Sequence, residues 1–298
     1  PSLPRFDPSD TFVWIKREMP AEWYPKLEDI PLKGLHVLDE YKRFYPCGEY
    51  MGAVVGFTGI DDNGLTGIEK KYENLLKPAS YVRTSEKDAR GNIMASATDI
   101  ALPSGWDSSL LLNIDSAVQF FVWKAVKKVF YTFTPRSVSC VVMNCRNGNV
   151  LALATYPSYD NNAFREHSFR EMRMRPICDV YEPGSTFKSF VMAAALEEGL
   201  VSEQEQFFCE NGAWNKGGRI LHDCHSYGNL TAEQVIYKSS NIGAAKIGIR
   251  LGEKRLYKYM RAFGFGSQTG VDYPGEENGI LRPPEKWSRM SITSLPMG

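Results

Sequence analysis

The chain has 298 residues, 43% of them hydrophobic, with 35 basic against 35 acidic side chains. That length and composition support one large or two smaller packed domains and exclude a disordered chain. Balanced charge excludes a general attraction to nucleic acid or an anionic membrane surface, and no apolar run approaches the roughly eighteen residues of a transmembrane helix. The N-terminus, Pro1-Ser2-Leu3-Pro4-Arg5, has neither the charged nor the apolar region of a signal peptide. The chain starts without methionine and stops at Ser294-Leu295-Pro296-Met297-Gly298 with no polar tail, so a fragment of a longer protein is expected.

The first hundred or so residues read as a mixed α/β module. Residues 12–16, 35–38 and 51–57 are strand-like, Asp61-Asp62-Asn63-Gly64 is a turn, and 68–76 is a short amphipathic helix. None of these carries a catalytic grouping. A break in the apolar pattern follows between about 87 and 109. Asp115 then caps a long helix, whose apolar face is read as Ala117, Phe120, Phe121, Trp123, Ala125, Val126 and Val129 and is expected to pack on a sheet. A hairpin comes next: 137–144 and 150–156 are apolar and β-branched, and Arg146-Asn147-Gly148-Asn149 turns between them. Such continuous runs predict a sheet covered on both faces, with helices packed on it. The basic residues Arg170, Arg173 and Arg175, with Glu171 among them, read as a solvated segment.

The chemistry is concentrated further on. In Tyr181-Glu182-Pro183-Gly184-Ser185-Thr186-Phe187-Lys188, Pro183 and Gly184 break the preceding structure and the apolar run of Phe190, Val191, Ala193, Ala194 and Leu196 continues as a helix. Ser185 and Lys188, three positions apart, share a helix face, so the amine reaches the hydroxyl. Ser185 on the first turn also faces free backbone N–H groups and the positive helix end, which favour a developing negative charge. No other Ser-x-x-Lys occurs in the chain. The plainer local reading, a serine at a helix start with a solvated lysine one turn on, is not removed by spacing alone.

Six cysteines are too few for a disulfide scaffold. Cys209 and Cys224 flank a Gly- and Asn-rich turn, and a hairpin there would bring the sulfurs close enough for a disulfide in an oxidising compartment. With His222, Asp223 and His225 the same stretch can be drawn as a zinc site, but the spacings are not those of paired ligands and no metal is expected. Thr231 and Gln234 form a capping box for a helix to about Lys238. Ser239-Ser240-Asn241 interrupts it, and 242–251 and 253–263 are two further helices. Ser-x-Asn between helices projects two polar side chains from one corner; the plainer alternative is a cap for the next helix.

Together, Ser185-Thr186-Phe187-Lys188 and Ser239-Ser240-Asn241 resemble the first two motifs of the penicillin-binding proteins and serine β-lactamases. Residues 149–162 are similar to the strand that opens the transpeptidase domain, and 179–184 to the lead into its nucleophile. The segments 41–46, 54–59 and 67–72 resemble the N-terminal pedestal of class B penicillin-binding proteins, which β-lactamases lack, and the pattern is nearest the division-type members. The resemblance implies an α/β (α+β) architecture, with a pedestal over residues 1–108 and a transpeptidase domain over 109–298 that is incomplete at its C-terminus.

It also implies a peptidoglycan D,D-transpeptidase without cofactor, acylated by β-lactam antibiotics, with peptidoglycan stem peptides as substrates. Ser185 would be the nucleophile, Lys188 its base and Ser239 the proton relay, while Asn241 binds the substrate amide. A membrane glycosyltransferase and division proteins would be its partners, on the outer face of the cytoplasmic membrane. One element is missing. The family's third motif, Lys-Thr/Ser-Gly, does not occur; Gln268-Thr269-Gly270 is the nearest match, lacks the cation and is given no role. The fragment itself is therefore expected to be inactive or nearly so. The competing readings are a non-catalytic penicillin-binding-like scaffold or sensor, against which both motifs stand intact, and a hydrolase, for which no deacylating glutamate can be placed.

Overall fold

The computed structural model describes Ser9, residues 12–32, 34–38, Glu40, 42–77 and 109–298. The expected break between 87 and 109 lies almost wholly outside the described residues, as does Tyr41. The chain packs as two units, one reaching to Ile177 and including Asp272–Pro274, the other holding Cys178–Val271 and Gly275–Gly298.

In the first unit, residues 12–16 and 35–38 form no strand; their backbone is irregular. Residues 51–57 are not a strand either. Helix α1, Glu49–Val55, runs between Gly48 and Gly56, both at positive φ, and buries Gly52, Ala53 and Val54. A short apolar run has no period that separates a strand from a buried helix, and the flanking glycines set the limits here. The expected helix over 68–76 is two pieces, α2 (Gly67–Lys71) and α3 (Glu73–Leu76), split where Tyr72 leaves helical geometry at φ −114°. Glu69 on α2 is buried and pairs with Arg43 Nε at 3.3 Å, as a buried carboxylate requires.

Helix α4, Ser116–Phe133, starts at Asp115, whose carboxylate accepts from the N–H groups of Ala117 (2.9 Å) and Val118 (3.0 Å). It packs on the antiparallel pair β1 (Val138–Met143) and β2 (Val150–Tyr156). The packing face is Gln119, Val122, Trp123, Val126 and Phe130, at three- and four-residue steps, while Phe120, Phe121 and Val129 face solvent. The apolar face read from the sequence was therefore rotated, because it counted aromatics and omitted a glutamine. Gln119 is buried, accepts from Leu153 N–H at 2.8 Å and donates to Leu153 C=O at 3.1 Å, so its amide closes the edge of β2 as a neighbouring strand would. β2 is buried over most of its length, but β1 alternates, with Val141 and Met143 exposed, so covering on both faces holds for β2 alone.

The second unit is helical at its centre. A 3-10 turn, Gly184–Phe187, leads directly into α5, Lys188–Glu197. Four short strands follow: β3 (Gln206–Phe208), β4 (Ala213–Lys216), β5 (Arg219–His222) and β6 (Asn229–Thr231), with β3 paired to β6 and β4 to β5, both antiparallel. Then come α6 (Ala232–Tyr237), α7 (Asn241–Leu251) and α8 (Glu253–Ala262). The core gathers Val191, Ala194 and Ala195 of α5, Val235 of α6, and Ile242, Ala245, Ile247 and Leu251 of α7. Gly243 makes the α6–α7 contact close: a Cβ there would meet Val235 Cγ2 at 2.5 Å. Among the described residues no helix is long and apolar enough to cross a membrane.

Candidate active site

Ser185 lies in the 3-10 turn and Lys188 begins α5. With three residues per turn, side chains at i and i+3 stack directly, which places Lys188 Nζ 3.2 Å from Ser185 Oγ. Thr186 Oγ1 ties the turn to the Pro183 carbonyl at 2.8 Å. Ser185 is exposed and Lys188 is 2% exposed, so the hydroxyl is presented above a buried amine.

The second motif is built by a helix ending. The Thr231–Gln234 capping box opens α6 as expected. The helix closes on a Schellman motif, in which Ser239 N–H donates to Ile236 C=O (3.0 Å) and Ser240 N–H to Val235 C=O (2.9 Å). Ser239 takes the left-handed position, φ 54°, where glycine is the common residue. That turn aims both its hydroxyl and its carbonyl at Lys188. Ser240 serves as the N-cap of α7, its Oγ accepting from Gly243 N–H at 2.9 Å, so this residue fills the plainer capping role beside the polar corner.

Lys188 Nζ lies 2.7 Å from Ser239 C=O, 3.0 Å from Ser239 Oγ and 2.8 Å from Asn241 Oδ1, besides Ser185. An ammonium has three hydrogens and no lone pair, so in that state it can only donate here. As a free amine, Lys188 gives two hydrogens to Ser239 C=O and Asn241 Oδ1, which can only accept. Its lone pair then takes the hydroxyl hydrogen of Ser185 or Ser239. Burial pushes the Lys188 ammonium below the ordinary lysine range, with the charges of Asp223 and Cys224 opposing. Asn241 is itself oriented, since its Nδ2 donates to the His222 carbonyl at 2.9 Å.

Sequence reasoning missed Asp223. It appeared only within the rejected zinc grouping, yet its carboxylate caps α7, accepting from Asn241 N–H (2.5 Å), Ile242 N–H (3.0 Å) and Ser240 Oγ (2.7 Å). No local signal marked it, because Asp223 lies eighteen residues upstream of Asn241 and no acidic residue directly precedes Ser239.

Cys209 and Cys224 are not joined; both are free thiols. Cys209 follows β3 directly; its N–H donates to Gly228 C=O at 2.7 Å and its buried thiol to Phe207 C=O. The β4–β5 register pairs Ala213 with His222, and Cys224 stays exposed beyond it. The turn between them exists, but its register does not oppose the two cysteines. Gln268-Thr269-Gly270 forms a loop closed on Glu276, whose carboxylate accepts from Thr269 N–H (2.6 Å), Thr269 Oγ1 (2.5 Å) and Gly270 N–H (3.1 Å).

Residues 138–298 match the penicillin binding protein transpeptidase domain family. The chain belongs to that family. It is 32% identical over 292 residues to the probable peptidoglycan D,D-transpeptidase PbpC of Pseudomonas aeruginosa, covering 98% of this chain and 52% of that protein. To the Escherichia coli K12 peptidoglycan D,D-transpeptidase FtsI it is 30% identical, over 98% of this chain and 49% of the relative. The crystal structure of penicillin binding protein 3 from Mycobacterium tuberculosis superposes with a TM-score of 0.72 at 30% identity, covering 86% of this chain and 54% of that one. The chain thus spans about half the length of the curated relatives it matches. Among penicillin-binding proteins, these relatives make it a class B, division-type member, with the mixed helix and strand architecture expected of one.

Proposed function

We propose that the protein is a peptidoglycan D,D-transpeptidase acting through an acyl-enzyme on Ser185. One observation carries this: Lys188 Nζ is in hydrogen-bond contact with Ser185 Oγ, Ser239 Oγ and Asn241 Oδ1 at once. The free amine takes the Ser185 proton as Oγ forms a bond to the carbonyl of the penultimate D-alanine of a stem peptide. The C–N bond to the terminal D-alanine then breaks, and the proton passes through Ser239 to the leaving amine. An amine of a second stem peptide attacks the ester, forming the cross-link and restoring Ser185. Asn241, held by His222 and Lys188, offers its amide to the substrate backbone. The Ser185 N–H supplies one oxyanion donor.

The same chemistry makes β-lactams acylating inhibitors, and one structural neighbour supports that reading: it is described as M. tuberculosis penicillin binding protein 3 complexed with aztreonam. The proposal keeps the division into a pedestal over 1–108 and a transpeptidase domain over 109–298. It places the protein in the bacterial cell envelope, on the outer face of the cytoplasmic membrane beside a glycosyltransferase and division proteins. The test is covalent labelling of the full-length protein by a fluorescent penicillin. Wild type should be labelled and Ser185→Ala unlabelled; persistent labelling of the alanine variant would sink the assignment.

A further inference from the structure

Asp223 follows β5 directly and touches neither Ser185 nor Lys188 by hydrogen bond, yet it holds the corner that meets them. One carboxylate oxygen takes the N–H groups of Asn241 and Ile242; the other takes the Ser240 hydroxyl, whose own oxygen takes the Gly243 N–H. Three of the free N–H groups at the start of α7 are thereby satisfied through one acid. Ser240 is fully buried, so water cannot replace the carboxylate there. The adjacent His222 carbonyl holds the Asn241 side chain. The end of β5 therefore grips both the main chain and the side chain of Asn241, and fixes the peptide on which Ser239 is mounted.

We propose that Asp223 is a positioning residue for acylation, locking the Ser239–Asn241 corner in the geometry that turns three oxygens onto Lys188. This rests on the acyl-enzyme reading above and deepens it. The carboxylate touches no reacting atom; it acts through the corner and through its charge. Around Lys188, the charged or titratable groups that act on it are Asp223 and Cys224, both beyond β5, whereas the turn, the corner and α7 present the neutral oxygens of Ser185, Ser239 and Asn241. Asp223 in turn acts on Lys188 and on Cys209, which follows β3; Lys246 of α7 acts on that same thiol and is itself paired with Glu210 at 2.6 Å. The Asp223 charge thus favours the protonated state of Lys188, against its burial.

The test compares the rate constant for acylation of the full-length protein by a fluorescent penicillin across pH, in wild type, Asp223→Asn and Ser240→Ala. Asparagine keeps an oxygen for the helix N–H groups but removes the charge and the acceptor for Ser240. For D223N the high-pH plateau should fall about tenfold or more, and the midpoint of the acidic limb should move to lower pH, because the free amine is reached sooner. For S240A the plateau should fall with the midpoint in place, since only the bridge is lost. A merely structural role lowers the rate in step with the folded fraction, read by thermal melting, and leaves the D223N midpoint unmoved; that result overturns the proposal. So do wild-type plateaus in both variants beside an unlabelled S185A. Labelling of S185A instead overturns the acyl-enzyme reading itself, and this proposal with it.

Discussion

Lys188 and Asn241, 53 residues apart in the chain, meet with Nζ 2.8 Å from Oδ1, and this contact fixes how the amine spends its hydrogens. Because the amide oxygen and the Ser239 carbonyl can only accept, they leave the lone pair of the free amine for a hydroxyl. Replacing Lys188 by methionine keeps the apolar stem and removes the base. Acylation by fluorescent penicillin should fall by roughly 10²–10⁴, while the melting temperature and near-UV circular dichroism of the variant should still report a folded protein. Methionine at wild-type acylation rates would rule out Lys188 as the base.

The backbone of Ser239 opposes its chemistry. A non-glycine residue in the left-handed region costs about 1–2 kcal/mol, and Ser239 has φ 54°. Ser239→Gly should therefore raise the denaturant midpoint, by about 1 kcal/mol of stability, and at the same time slow acylation through loss of the relay hydroxyl. Gains or losses in both together would contradict the role assigned to that hydroxyl.

Acylation requires the free amine, so its rate should rise with pH through the Lys188 titration. Burial holds that titration below the ordinary lysine range, and the acidic limb should lie below it too. The same displacement bears on stability. Between the folded and unfolded lysine values the unfolded chain binds more protons, so Lys188 lowers stability below that window and the deficit fades as pH rises through it. Measured against Lys188→Met, wild-type stability should gain on the variant as pH increases.

Asn241→Asp would place a carboxylate where the amide oxygen meets Lys188. The added charge favours the ammonium, so the acidic limb should move to higher pH, opposite to the shift expected on removing the Asp223 charge. A rate–pH profile that moves to lower pH would show that Asn241 does not face the amine.

At Gly243, a Cβ would meet Val235 Cγ2 at 2.5 Å and Cγ1 at 2.9 Å, and Ser240 Oγ at 3.2 Å. Gly243→Ala should cost about 1–3 kcal/mol by overpacking the contact of α7 with α6, and slow acylation because the corner lies at that contact. Urea denaturation alongside penicillin labelling checks both.

What the sequence determined by itself was local. Ser185 and Lys188 are brought together by three residues of one turn, Thr231 and Gln234 by one capping box, Asp115 by the helix it starts, and the hairpin of β1 and β2 by its Asn-Gly turn. Each needs only backbone geometry over a few positions. Where an apolar run had no clear period, at 51–57, or where aromatics outweighed a buried glutamine on α4, the reading failed, because burial is set by what lies opposite. Only the tertiary structure decided that Asp223 caps α7, that Cys209 and Cys224 stay apart, and that Ser239 turns left-handed toward Lys188. The reason is distance along the chain. Packing of α5, α6 and α7 into one core closes a gap of about fifty residues, and the register of short strands then selects which side chains meet across it.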